Sequence, residues 1–348
     1  MKKIIMIMIL FWWASSLYPL EAGAIKKKKT VVKIAVLIPK GAGGSNILED
    51  FRQAVKKQTK EEVDFKIYWG GIQGDEKDVV RKIRFKQLHG SLFSGHGLGQ
   101  IVPEVRVTEL PYLFMNYEEV FYVRHKIENI MNQKFRDQGF IVLGWSTLGF
   151  VYPFLTKPIK RHEKLKKIKS WIWEDDPVAY EFNKVLGIVP VSLSVADVLG
   201  SVSSGLVDMV AAPPLAALAF RWQTKFKYMA NVPAINSLGA LIISKDVWKK
   251  ISISNQKIIL DIARKNLSNY INFIIKENEK ALKVLKKGGV SILRVDDQEN
   301  FMAGQKAAGK TRNNLIGKLY PKVLLEKVLA WLKEYRDKNP HPATAIIK

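Results

Sequence analysis

From Asn255 to about Lys287 the chain runs without a proline or a glycine, and Ile259, Ala263, Leu267, Ile271 and Ile275 recur every four residues. The pattern predicts one helix on the order of 45 Å long with a single apolar face. A helix of that length crosses more than one lobe. Ahead of it, strand-like and helical runs alternate. Val31 to Ile38 reads as a buried strand, Pro39 to Ser45 as a glycine-rich loop, and Ile47 to Lys57 as an amphipathic helix with Leu48, Phe51 and Val55 on one face. Val63 to Trp69 reads as a second strand and Asp75 to Leu88 as a helix opened by acidic residues. Phe140 to Trp145, Val207 to Ala211 and Leu238 to Ser244 add strands, separated by helices at Val178 to Leu186 and Val195 to Ser204. This alternation predicts an α/β fold with mostly parallel sheets. No internal repeat or low-complexity linker divides the chain, so two lobes joined by several crossings are expected.

The N-terminus indicates the compartment. Lys2 and Lys3 precede an apolar stretch from Ile4 to Leu20, and Ala22-Gly23-Ala24 places small residues at the spacing of a cleavage site. Residues 1–24 therefore read as a secretory signal cut after Ala24, giving a periplasmic protein. The alternative is an uncleaved anchor, because the run sits at the lower edge of a spanning helix, roughly 17 to 25 residues. The most hydrophobic later stretch, Val207 to Phe220, is broken by Pro213 and Pro214. Lys26 to Lys29 reads as a solvated basic arm.

The 56 Lys+Arg against 32 Asp+Glu give a net charge of +24. A basic surface that binds nucleic acid is one reading of this excess, but the basic residues are predominantly lysine, whereas base readout and bidentate phosphate capture favour arginine. The lysines are also spread along segments such as Lys157 to Lys169 and Lys276 to Lys287, which reads as solvated surface, so no nucleic acid is expected as a partner. With no cysteine, disulfides, thiolate catalysis and zinc-thiolate sites are excluded.

Catalytic and nucleotide signals fail on context. Residues Gly304 to Thr311 match G-x-x-x-x-G-K-[ST], a loop that cradles phosphates when a strand runs into its first glycine. Here a helix-like acidic run, Asp296 to Met302, precedes it. Gly95-His96-Gly97-Leu98-Gly99 departs from G-x-G-x-x-G and reads as a loop where backbone passes close to something. The five histidines, His89, His96, His125, His162 and His341, lack zinc-site spacing. Glu174-Asp175-Asp176 could pair carboxylates for acid–base work or hold calcium, but it precedes Pro177 and a helical run, and negative charge at a helix start is the commoner reason for such a cluster. No enzyme, cofactor or metal is expected.

A family resemblance carries the function. Lys33-Ile34-Ala35 through Pro39-Lys40-Gly41, Ile67 to Asp78, and Arg81-Lys82-Ile83 resemble the opening of the DctP-type solute-binding proteins of TRAP transporters. Gly97 to Glu104, Glu109 to Phe114, Asn116 to Glu119, Leu186-Gly187 with Pro190-Val191, Ser204 to Asp208 and Ser244-Lys245 continue the match in collinear order over roughly residues 31 to 330. The resemblance implies a two-lobed, periplasmic-binding-protein-like α/β fold, with a ligand cleft between the lobes and the long helix along both. Residues 31–151, with part of 238–285, would form lobe I, and residues 152–237, with part of 286–348, lobe II. It further implies a receptor that closes on a small solute and delivers it to the subunits of a membrane permease.

One departure bears on the ligand. Most members of this family carry an arginine that pairs with a substrate carboxylate. Aligning Leu165 to Ile172 on that segment puts Trp171 at the arginine. Lys169 shares its face on a strand and is the alternative cation for a carboxylate ligand. Near Pro213-Pro214 the family's asparagine is absent. Trp171, Trp173, Phe150, Tyr152 and Trp222 instead point to an aromatic cleft, with Phe93, Ser94, His96 and Pro213 as further ligand contacts. An alternative reading assigns a share of these aromatics to the lobe cores. The chain resembles the subset associated with TPR-repeat periplasmic partners, which implies a largely hydrophobic ligand.

Overall fold

The computed structural model describes residues 29–42, 44–159, 165–166, 168–294 and 298–340, excepting the side chains of 298–300. The expected signal segment 1–24, Lys26 to Lys28, His162 and His341 lie outside the described residues. The chain opens with β1 (Thr30–Ala35), α1 (Ser45–Gln58), β2 (Val63–Tyr68), α2 (Glu76–Arg84), β3 (Gly90–Ser94) and a short α3 (Gly95–Gly99). A 3₁₀ segment at Pro103–Glu109 leads to α4 (Tyr117–Asp137), β4 (Phe140–Leu155), β5 (Lys169–Ile172), α5 (Pro177–Leu186) and β6 (Val189–Ser192). Then come α6 (Val198–Ser203), β7 (Met209–Ala212), α7 (Pro214–Ala219), β8 (Tyr228–Ala230), β9 (Ile235–Ser244) and α8 (Lys245–Trp248). The last elements are α9 (Ile253–Lys287), β10 (Ser291–Leu293), α10 (Gln298–Leu315) and α11 (Lys322–Lys338).

The strands run in the order β2-β1-β3-β9-β4-β7-β5-β6, with β8 bridging β4 and β10. Parallel pairing at the two ends matches the expected alternation, but the centre is antiparallel: β9 pairs antiparallel with β3 and β4, and β4 with β7 and β8. The sheet is therefore mixed and not mostly parallel. The cause is β4, a strand of 16 residues where the sequence predicted one ending at Trp145. Its first part, Phe140 to Val151, pairs with β9, and Tyr152 to Leu155 pair with β7. One strand thus serves both lobes. It bends at two bulges, the second between Thr147 and Gly149. Gly149 has φ 104°, and a Cβ there would strike the side-chain amide of Asn278.

Helix α9 has 35 residues and spans about 52 Å at 1.5 Å per residue. Ser252 caps its start and Gly288 follows its last turn. Its buried stripe runs through Leu267, Tyr270, Ile274, Asn278, Ala281 and Leu285, not through Ile271 and Ile275. A strict four-residue step overruns the 3.6-residue turn by about 40° each time, so a true stripe mixes steps of three and four. Asn278 fastens the helix at the junction of the lobes: its amide donates to the Leu148 carbonyl at 3.1 Å and its oxygen accepts the Leu215 N–H at 3.0 Å.

Helices α1 and α9 pack on one face of the lobe I sheet around Phe51, Phe65 and Ile259, and α2, α4 and α11 cover the other. Lobe II has its own core, in which Phe154, Val210, Phe226 and Met229 are buried beside Trp171 and Trp222. The G-x-x-x-x-G-K-T run lies inside α10, where Thr311 is buried and donates to the Ala307 carbonyl; a helix interior leaves no free N–H cradle for a phosphate. The expected helix at Val195 begins as a 3₁₀ turn before α6. Among the described residues no helix is long and apolar enough to cross a membrane.

Candidate functional site

A cavity of about 150 Å³ lies between the lobes. Leu37 to Pro39 beyond β1, Glu76 at the start of α2, and Leu92 and Ser94 of β3 form its lobe I wall. Leu148 and Val151 of β4, Ser237 of β9, and Tyr270 and Ile274 of α9 close the back. The lobe II wall is aromatic: Trp171, Trp173, Phe220 and Trp222, with Val195 and Pro213 beside them. The rings of Trp171 and Trp173 stand 4.9 Å apart, those of Trp171 and Trp222 5.4 Å, and those of Phe220 and Trp222 5.4 Å.

Two of the three indole donors on this wall are occupied. Trp171 Nε1 donates to the Leu193 carbonyl at 2.9 Å and Trp173 Nε1 to Asp75 Oδ2 at 3.2 Å. What these residues offer a ligand is ring surface. No lysine or arginine among the described residues lines the cavity. Among the described residues its one carboxylic acid is Glu76, which accepts from the Ser94 N–H at 2.7 Å, the Ser94 hydroxyl at 2.6 Å and the Gly97 N–H at 2.7 Å. Burial pushes the Glu76 carboxyl up to about 7 despite these three donors, which favour the ionised form.

The mouth is bridged by contacts between the lobes. Asp75 caps α2 through Oδ1, while Oδ2 also accepts the Val195 N–H at 2.9 Å. Lys77 pairs with Asp175 at 2.5 Å. Arg106 is buried and places Nη2 3.0 Å from Asp176 Oδ1 and Nε 2.8 Å from Glu109. The guanidinium beside Asp176 keeps that acid below its usual range, although burial alone would raise it, whereas burial prevails at Glu109 and raises its carboxyl. Asp176 also caps α5 by accepting from the Val178 and Ala179 N–H groups, each at 3.0 Å. The acidic cluster 174–176 is thus a helix cap and a pair of lobe bridges. Among the described residues no group of acids and histidines is arranged to hold a metal ion.

Of the residues expected at the ligand, Trp171, Trp173, Trp222, Ser94 and Pro213 line the cavity. Phe93, Phe150, Tyr152 and His96 do not. Phe93 points to the other side of β3 from Ser94, into the lobe I core against Gly97, and Phe150 packs on Tyr117 at 5.0 Å. Tyr152 packs against the cores of both lobes. His96 stacks behind Trp173 at 5.3 Å, where burial pushes it down to about 4. Lys169 is also outside the cavity, its amine donating to the Gly205 carbonyl at the surface. The 95–99 run is a helical turn and not a loop, yet its glycines do allow a close approach: a Cβ on Gly95 would fall on the Glu109 carboxylate and one on Gly99 on Arg106. Sequence reasoning missed Glu76 and Phe220, although Glu76 sits inside the Ile67 to Asp78 motif and Phe220 two residues before Trp222. Tyr270 and Ile274 were hidden by the four-residue stripe.

A family model described as DctP, bacterial extracellular solute-binding protein, family 7, matches residues 41–312. A solute-binding protein of Verminephrobacter eiseniae is 21% identical over 281 residues, covering 79% of this chain and 82% of the relative. A TRAP periplasmic solute-binding protein of Haemophilus influenzae with bound L-gulonate superposes with a TM-score of 0.81 at 20% identity, over 88% of this chain and 99% of that one. One from Citrobacter koseri with bound D-glucuronate gives 0.77 at 23% identity, over 86% and 98%.

Proposed function

This chain belongs to the DctP family of bacterial extracellular solute-binding proteins, and from that premise we propose that its interlobe cavity takes a small, largely apolar ligand. It is a solute receptor of the TRAP type and not an enzyme, and receptors of this type hand small molecules to membrane permease subunits.

The composition of the cavity wall carries the ligand reading. A carboxylate placed there would leave water for a site with no cation among the described residues and would face the Glu76 carboxyl, so it would be desolvated without a partner. Ring faces and aliphatic side chains, with the Trp171 and Trp173 indole donors already engaged, suit hydrocarbon. The acids bound by the Haemophilus and Citrobacter proteins favour a second reading, a carboxylated ligand. That reading needs a cation in the cavity, and Lys169, the candidate from sequence, is turned to Gly205.

In this proposal residues 31–151 with part of 238–285 close against 152–237 with part of 286–348, and the Asp75, Lys77 and Arg106 bridges hold the closed form. A cleaved leader over residues 1–24 and a TPR-repeat periplasmic partner belong to the same proposal and rest on the sequence alone. Organic extraction of the purified chain followed by mass spectrometry, together with native mass spectrometry of the intact complex, tests the ligand. A co-purifying hydrophobic molecule is expected. Recovery of only a hydrophilic sugar acid overturns the reading.

A further inference from the structure

We propose that the interlobe cavity continues into a second apolar cavity inside lobe II, and that the two together hold one elongated hydrocarbon chain threaded through a gap in the sheet. This rests on the apolar reading of the interlobe cavity and specifies the shape of its ligand. The second cavity, about 180 Å³, lies under α5 and α10, and among the described residues its polar side chains are Tyr112, Ser170, Asn183 and the indole of Trp171. Phe182 and Leu186 of α5 form its roof, and Met209 and Ala230 part of its floor.

Three residues, Val151, Trp171 and Ala211, line both cavities. Strand pairing shows why. β7 pairs with β4 along its whole length, from Met209 to Ala212, but with β5 only at Ser170↔Met209. β5 meanwhile stays paired with β6 out to Ile172↔Ser192. Past Ser170 and Met209 the ladder between β5 and β7 stops, and Trp171 and Ala211 stand on either side of the opening. Protein interiors are packed to crystal density, with few voids larger than a water molecule. Two apolar voids of this size meeting at an unladdered seam are therefore read as space for an occupant, and an apolar cavity of this order stays dry and accepts hydrocarbon.

The test uses the full chain, stripped of bound lipid, titrated calorimetrically with straight-chain primary alcohols from hexanol to hexadecanol. Affinity is expected to climb about fourfold per added methylene into the longer members. Ala179→Phe on α5 and Ala230→Phe on β8 each fill the lobe II cavity without touching the interlobe wall. In either variant affinity should stop rising at a shorter chain, with the short alcohols bound as before; having two variants keeps the test intact if one fails to fold. Long alcohols bound equally by both variants and the unaltered chain overturn the channel and leave the apolar interlobe site standing, as does a plateau at short chain length in the unaltered chain. Failure to bind any alcohol overturns both.

Discussion

Trp173 donates its indole N–H to Asp75 Oδ2 across 3.2 Å, so a tryptophan of one lobe is held by a carboxylate of the other. The same oxygen takes the Val195 N–H, while Oδ1 caps α2. Asp75→Asn separates these roles. Its amide oxygen still caps the helix, but its NH₂ then meets two N–H donors across the cleft. The melting temperature of the free protein should change little, ligand affinity should fall about ten- to a hundredfold, and small-angle scattering with ligand should show the lobes apart. Undiminished affinity would mean that this contact does not hold the closed form.

Glu76 and His96 give opposing pH dependences. Folded Glu76 keeps its proton up to about 7, against 4.5 as the ordinary value, so the folded state binds the extra proton and stability falls as pH rises through that window, by on the order of 3 kcal/mol. Folded His96 protonates only near 4, against 6.5, so the unfolded state binds the extra proton and stability rises with pH between those values by a similar amount. The two nearly cancel between pH 4.5 and 6.5. Urea denaturation of Glu76→Gln should expose the rise due to His96 and remove the fall toward pH 7. A profile parallel to that of the unaltered chain would show that Glu76 does not titrate in this range.

How much of this was legible depended on whether a residue's environment is set locally. α2, α5 and α9 could be read because their caps and breakers, Asp75, Asp176-Pro177 and Gly288, lie in the adjacent sequence. β4 could not be read to its full length, because Gly144, Gly149 and Pro153 interrupt the strand pattern and only pairing with β9 and β7 carries it through. The tryptophans of the site were legible as an aromatic concentration where a cation was expected. Phe93 and Phe150 are aromatic as well but belong to the core, and sequence cannot tell which side of a strand faces a cleft formed by distant segments. Glu76 was hidden for a related reason: an acid in a first helical turn normally serves the helix dipole, and its burial comes from β3 and α3 folding over it.

Arg106 tests the buried bridge between the lobes. Arg106→Met removes the cation from between Asp176 and Glu109 and leaves buried acids without it. A loss of about 3–5 kcal/mol is expected in urea denaturation at neutral pH, and Arg106→Lys should not restore it, because a single ammonium cannot serve both acids from one planar fork. A loss within about 0.5 kcal/mol, the scale of an ordinary surface substitution, would show that the bridge is dispensable.

Trp171 occupies the position that the resemblance gives to the family's carboxylate-binding arginine, and its ring lines the cavity. If selectivity follows from that exchange, Trp171→Arg should reverse it. The variant places a guanidinium among Trp173, Trp222 and Val195, where it lacks a ligand carboxylate until one arrives, so the free protein should melt at a lower temperature than the unaltered chain. D-Glucuronate or L-gulonate should raise that temperature, and calorimetry should detect binding that the unaltered chain lacks. The co-purifying apolar ligand should be lost, because the ring surface that contacts it is gone, whereas Trp171→Phe should retain it with affinity reduced about tenfold. A folded Trp171→Arg protein that binds no sugar acid and keeps the apolar ligand would show that Trp171 does not set the ligand class, and would move attention to Phe220 and Trp222 on the same wall.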